Sequence, residues 1–345
     1  MAVHVSCPAV ALPEHRVPTS AVIADLERYG ASGAVLRIVR NLGVEHRYMS
    51  RTLAELAEPE GVEARNVATV AAVNHLGAQA AADALHAARL DADEIDAVIA
   101  VHSSGVTMPG LGVHLAATLG LRPDALHIPV TQVGCTGGAW SLALAADLVA
   151  AQPDRRVLVV VAESLTSSYR PAEPGMVPAM YRALFGDSAA AAVVTAEWRG
   201  PGLRVERTWS HLLPDSARYY WMTLHDGKGQ HFDSTSAAVS AVAECMPPLV
   251  DWLKDAGLPQ WVAAHPGGPK IINSVADGLP VPVDLRHSWN SLREHGNTGG
   301  PAVLDVLRRI HQAPPPHGAR GLVAAFGPGF FASAVTGTWQ EHATL

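Results

Sequence analysis

Three side chains in this sequence have the types and settings that acyl chemistry needs. Cys135 lies in VTQVGCTGGAW (130–140), His265 in WVAAHPGGP (261–269) and Asn297 in HGNTGGPAV (295–303). A thiol can attack a carbonyl, an imidazole can take its proton, and an amide N–H can steady the oxyanion or enolate that forms. The apolar run LHIPVTQV reaches Gly134, and a helix pattern opens at Cys135. A thiol in the first turn of a helix meets unpaired N–H groups and the positive end of the dipole, which lower its pKa. Gly137 and Gly138 leave room for a substrate or a neighbouring strand to come close. Cys135 reads equally as this nucleophile or as a small buried hydrophobe. His265 closes a strand and is held by a Pro-Gly turn, which favours function, with a structural turn histidine as the alternative. Asn297 stands at a Gly-flanked helix start and, taken alone, reads as an N-cap.

The elements that must hold these residues show as apolar runs. Strand-like segments recur at 97–105, 126–133, 156–164, 189–196, 260–268 and 320–329. The Ala/Leu-rich stretches 66–90 and 135–152 carry helical periodicity. Strands that are apolar throughout, alternating with helices, predict an α/β fold whose sheets are covered on both faces. PAEPGMVP (171–178) and PPPHG (314–318) read as loops. Each half of the chain leads an apolar strand into a chemistry-bearing turn, which suggests two similar halves dividing near EWRGPGL (197–203). No fixed-period repeat accompanies this echo.

Composition narrows the function classes. The chain has 345 residues, 48% of them hydrophobic, enough for a large core and about two domain-sized units. A net charge of −7 without a polybasic run argues against a nucleic-acid partner. Cys7, Cys135 and Cys245 are too scattered for a disulfide framework or a metal knuckle and fit a reducing cytosol. The histidines are dispersed, with no HExxH and no paired ligand spacing, so no metal site is expected. The N-terminus has no basic segment followed by a long apolar one, and no apolar run approaches the ~18–20 residues of a membrane span. The expectation is a cytoplasmic protein with no membrane partner.

Taken together, the cysteine, histidine and asparagine resemble the triad of the thiolase superfamily. The closer resemblance is to type III polyketide synthases, the chalcone-synthase-like enzymes. HPGGP (265–269) carries most of it, supported in order by HRYM (46–49), SSGVTMPG (103–110), GLRPDA (120–125), RVLVVVAES (156–164), ALFGDSAAAAVV (183–194) and FGPG (326–329). The resemblance implies two pseudo-repeated halves in a five-layered αβαβα arrangement, residues 1–200 carrying the nucleophile and 201–345 the His and Asn. It implies that Cys135 takes an acyl group from a coenzyme A thioester. His265 and Asn297 would hold malonyl-CoA while it loses CO₂, and its enolate would attack the Cys135 thioester. No cofactor is implied beyond these thioester substrates, and a homodimer is expected.

The same resemblance assigns residues around the chemistry. Phe185 matches an aromatic gatekeeper between the coenzyme A tunnel and the cavity, and Phe232 falls near a second. Met108 matches a methionine that reaches into the partner's cavity, and Arg37 and Arg40 lie where basic residues meet coenzyme A phosphates. Plain core packing for Phe185 and a solvated helix face for the arginines remain open. Ser103, Ser168 and Gly299 stand where plant enzymes carry small polar cavity residues, and Gly299 would enlarge the cavity. Ala325 replaces the glycine before FGPG, and Phe330 and Phe331 after it would narrow or reshape the space. The stretch 211–233 is more similar to bacterial members, some of which start from malonyl-CoA and make resorcinol- or naphthalene-type phenols. The alternative is a single-condensation enzyme resembling ketoacyl synthase III, loaded by an acyl carrier protein, toward which GNTGG leans and from which HPGGP leans away. A non-enzymatic thiolase-fold partner subunit is a third reading, opposed by the intact triad.

Overall fold

The computed structural model describes residues 2–226 and 229–343. Val157–Val161 are fully buried along the strand Val157–Ser164, which explains the run of valines without a polar alternate. Val157, Val159 and Val161 face one core while Leu158, Val160 and Ala162 face another, so both sides of the strand are covered. Ala190, Ala192 and Val194 of the strand Asp187–Thr195 join the first core, and Ala189, Ala191 and Val193 the second. Small alanines let the helices on either side approach the sheet closely.

Among the described residues ten strands form one hydrogen-bonded sheet. Leu126–Val130, Ala97–Val101 and Val157–Ser164 run parallel, and Asp187–Thr195 follows antiparallel. At the far end Trp261–Ala264 runs parallel to Arg320–Gly327, and Phe331–Gln340 follows antiparallel. The two groups repeat one local topology and are joined through Val3–Val5 and Gly202–Leu212. The sheet wraps a central pair of helices, Gly137–Ala151 and Ala302–Gln312, whose apolar faces share one core with both groups of strands. Helix Val62–Ala88 covers one outer face. Helices Gly33–Arg40, Ala241–Ala256 and Pro269–Gly278 pack on the other. The layer order is αβαβα, as the resemblance implied.

Three features differ from the sequence reading. Gly134–Ala151 is long and apolar enough to cross a membrane, although Gly, Thr and Ser break its apolar run; here 56% of it is buried, as the central layer of the core. PAEPGMVP is a loop only as far as Gly175, because Met176 begins the helix Met176–Leu184. The strand Gly202–Leu212 escaped notice because its side chains alternate partly exposed and polar, GLRVERTWSHL, instead of forming an apolar run.

An ion cluster frames the turn that carries Asn297. Asp305, 3% exposed, accepts hydrogen bonds from His295 Nδ1 at 3.0 Å, Arg308 Nη2 at 2.7 Å and Arg309 Nε at 2.9 Å. Burial raises its carboxyl pKa, but His295, Arg309 and Arg308 outweigh burial and hold it well below the usual range. A depressed folded-state pKa contributes stability above the unfolded value of about 4, and that stability is lost as the pH falls. We expect Asp305→Ala to cost about 3–5 kcal/mol at neutral pH, because it leaves buried cations unpaired. Chemical denaturation should find a much smaller gap between mutant and parent at low pH.

Candidate active site

The strand Leu126–Val130 leads into a short 3₁₀ turn, Gly134–Thr136, and the α-helix starts only at Gly137. Cys135 therefore stands ahead of the helix, not in its first turn as the sequence suggested. Burial pushes its thiol up to about 12, the Glu163 carboxylate pushes the same way, and a hydrogen bond with Asn297 opposes both. The lowering expected from the helix end is overridden, since removal from water outweighs a partial charge. Gly137 and Gly138 serve the second of the two purposes expected, the close approach of neighbouring elements. A Cβ on Gly138 would lie 2.5 Å from Gly300 O and 2.6 Å from Val303 Cγ1, and one on Gly137 3.0 Å from Val101 Cγ1. Both glycines are buried and let the helix start close on neighbouring elements rather than making room for an acyl chain.

His265 follows the strand Trp261–Ala264 and is fixed by its backbone N–H, which donates to Ala324 O at 2.9 Å. Its ring is fully buried, and neither ring nitrogen has a partner among the described residues. Burial alone pushes the imidazole down to about 3. Neither the thiol nor the imidazole favours a lone charge, so a thiolate here forms only as its proton passes to a neighbour. Two buried ring nitrogens without partners are costly unless a ligand uses them.

Asn297 is held on four sides. Its backbone N–H donates to Leu184 O at 2.7 Å, and its carbonyl accepts from Gly186 N at 3.1 Å. Its side-chain Oδ1 accepts from Gly299 N at 2.9 Å, while Nδ2 donates to Gly267 O at 3.3 Å. With Oδ1 occupied, the amide turns its donor end toward the residues around His265. The N-cap alternative fails, since the helix Ala302–Gln312 starts five residues later.

Cys135, His265 and Asn297 line one cavity of about 490 Å³ with a mostly apolar wall that includes Leu42, Ile271 and Phe330. Phe185, 4% exposed, lines it too, stacked on Tyr181 at 4.9 Å and meeting Phe232 edge-on at 5.6 Å. Tyr220 completes this aromatic group, 5.8 Å from Tyr181 and 6.1 Å from Phe232. Phe232 lies behind the group, on a separate small space with Ser168 and Arg170.

Several expected residues stand elsewhere. Ser103 does not line the cavity; its hydroxyl accepts from Gly134 N at 2.9 Å and so supports the cysteine turn. Ser168 is behind Phe232, donating to Leu165 O at 2.7 Å. Gly299 does not enlarge the cavity: it sits at φ +72°, where a Cβ would meet Leu165 Cδ1 at 3.2 Å and Glu163 Cγ at 3.3 Å. Phe330 lines the cavity and Phe331 does not. Met108 is 96% exposed and away from the cavity. Arg37 and Arg40 are exposed on the helix Gly33–Arg40, whose Ile38 reaches the cavity wall, and Arg40 pairs with Glu27 at 3.4 Å. The cation that does line the cavity is Lys270, at the start of the helix Pro269–Gly278. Sequence reasoning missed Lys270, Tyr181, Tyr220 and Glu163. Only Glu163 left a usable signal, a carboxylate ending a run of apolar residues.

Comparison with known proteins agrees with this geometry. The description "Chalcone and stilbene synthases, N-terminal domain" matches residues 36–198. A 1,3,6,8-tetrahydroxynaphthalene synthase of Streptomyces griseus is 32% identical over 346 residues, covering 97% of this chain and 92% of that protein. A phloroglucinol synthase of Pseudomonas fluorescens is 29% identical over 343 residues, covering 96% of this chain and 98% of its own. The solved structure of germicidin synthase from Streptomyces coelicolor, a type III polyketide synthase, superposes with a TM-score of 0.92 at 32% identity, covering 98% of this chain and all of that one. The likeness runs the length of the chain and includes both the fold and the segments around the cavity, and the chain belongs to the type III polyketide synthases, acyltransferases that form carbon–carbon bonds by decarboxylative condensation.

Proposed function

We propose that the chain loads an acyl group from a coenzyme A thioester onto Cys135 and extends it with malonyl-CoA, without a carrier protein. The observation that carries this reading is the meeting in one apolar cavity of a thiol, an imidazole with no partner at either nitrogen among the described residues, and an amide whose oxygen is already occupied. In loading, the Cys135 proton passes to His265 as sulfur attacks the thioester carbonyl, and coenzyme A leaves with that proton. Malonyl-CoA then binds with its thioester oxygen between a His265 ring N–H and Asn297 Nδ2. Loss of CO₂ puts negative charge on that oxygen, where two fixed donors in a water-poor cavity stabilise it. The enolate carbon attacks the Cys135 thioester and expels the thiolate, leaving the lengthened chain on coenzyme A.

Lys270 at the cavity, with Arg37 and Arg40 beyond it, supplies positive charge for the coenzyme A phosphates. The active form is read as a homodimer, supported by Met108, an apolar side chain left 96% exposed. The product is read as a polyketide cyclised to a phenol or pyrone. Malonyl-CoA itself is the favoured starter, a reading supported by the naphthalene and phloroglucinol synthases among the relatives. The enzyme should convert radiolabelled malonyl-CoA to product at the same rate with and without acyl carrier protein. Products that form only with the carrier protein would contradict this reading.

A further inference from the structure

Tyr181 lies on the helix Met176–Leu184, one turn before Phe185, so the two side chains share a face. Its ring stacks on Phe185 at 4.9 Å and meets Tyr220 at 5.8 Å and Phe232 at 6.4 Å, both edge-on. Its hydroxyl donates to Ser234 Oγ at 2.9 Å, and Ser234 pairs with Tyr220 in the hairpin. The ring is thus fixed by the helix on one side and by the hairpin on the other. Tyr181 lines the cavity that holds Cys135, and it also lines the small space behind Phe232. That space measures about 10 Å³, room for about one water, so an acyl chain growing in the cavity stops at this ring. The two sides of the ring differ in chemistry. The cavity wall is mostly apolar, whereas the space behind holds Arg170 and the ion pair of His231 with Glu173 at 3.1 Å. Arg170 Nε and Nη2 are buried there and have no partner among the described residues.

We propose that Tyr181 is a specificity-determining residue, a partition that stops the growing chain and shuts off a compartment suited to oxygen-bearing chains but not to alkyl ones. The proposal rests on Cys135 carrying the chain in this cavity. A poly-β-ketone has a carbonyl oxygen on every second carbon, and such oxygens can accept the unpartnered Arg170 N–H groups. An alkyl chain offers those groups nothing and would keep water from them, which is costly. Loss of the ring therefore lengthens the polyketide without opening the enzyme to long alkyl starters. A wall that acted by volume alone would admit both.

Tyr181→Ala removes the partition. With malonyl-CoA as the sole substrate, products at least one two-carbon unit longer than those of the wild type should rise about tenfold or more as a share of the total, read by mass spectrometry. The kcat/KM for octanoyl-CoA relative to acetyl-CoA as starter should change by less than about threefold. Tyr181→Phe keeps the ring and loses only the bond to Ser234, so its products should have the wild-type length whatever its turnover. Should Tyr181→Ala fail to fold, Tyr181→Leu, which also removes the ring, carries the same expectations. Unchanged product length in the ring-less variant overturns the proposal, as does a Phe variant that makes the longer products. A tenfold gain for octanoyl-CoA overturns it too, because the wall would then act by volume alone. If wild-type protein takes an acyl adduct on Cys135 and the ring-less variant keeps the wild-type product length, this proposal falls alone. If it takes no such adduct, the reading of Cys135 falls as well.

Discussion

Cys135→Ala should lower polyketide synthesis by at least about 10⁴-fold while malonyl-CoA decarboxylation survives. Synthesis needs sulfur to hold the growing chain as a thioester. Decarboxylation needs only the two donors that receive the enolate charge, and the proposed mechanism draws them from His265 and Asn297, which both line the cavity. The fold should tolerate the change, because the lost sulfur faces a cavity instead of interlocking with a packed core. Product formation and ¹⁴CO₂ release, measured on the same preparation from carboxyl-labelled malonyl-CoA, check the split. Loss of soluble, folded protein would return Cys135 to a packing role, the part that Cys245 plays at 0% exposure.

His265→Gln should silence both the thiol and the condensation. Burial and Glu163 push the Cys135 thiol up to about 12, so without an imidazole to take the proton almost none is thiolate at neutral pH. Iodoacetamide should then modify Cys135 at least about 100-fold more slowly near neutral pH. Its rate should climb without a plateau as the solution grows more alkaline. Glutamine keeps an N–H for the enolate but accepts no proton, so synthesis should fall by about 10³-fold. A variant alkylated with the wild-type pH profile would mean that another group activates the thiol.

Much of this site was legible because Cys135 and His265 follow apolar runs and all three candidate residues lie beside glycines. Cys135 follows LHIPVTQV, His265 follows WVAA, and Asn297 stands between Gly296 and Gly299. Strands buried on both faces leave no polar alternate, which made Val157–Ser164 and Arg320–Gly327 plain to read. The cavity wall was not legible in the same way. Tyr181 lies on a helix masked by the prolines before it, and Tyr220 on a hairpin strand with partly exposed residues. Ser103 and Gly299 were found by type, but type does not say which way a turn faces. Neither lines the cavity: Ser103 gives its backbone N–H to Glu163 and its hydroxyl accepts from Gly134 N, and Gly299 packs beside the Glu163 methylene. The acidity of Cys135 was misjudged for a related reason. The pattern located a helix start, but the three-residue 3₁₀ turn Gly134–Thr136 puts the thiol ahead of the α-helix, where burial outweighs the pull of the helix end.

The central claim is that the Cys135 Sγ is the atom to which the growing chain is bound. Intact-protein mass spectrometry after brief exposure to malonyl-CoA and to a panel of acyl-CoA starters tests it most directly, with peptide mapping to locate the adduct. The account predicts one acyl group per chain, on Cys135, absent from Cys135→Ala and discharged when malonyl-CoA is added. An unmodified protein, or an adduct on Cys7 or Cys245 instead, would contradict it.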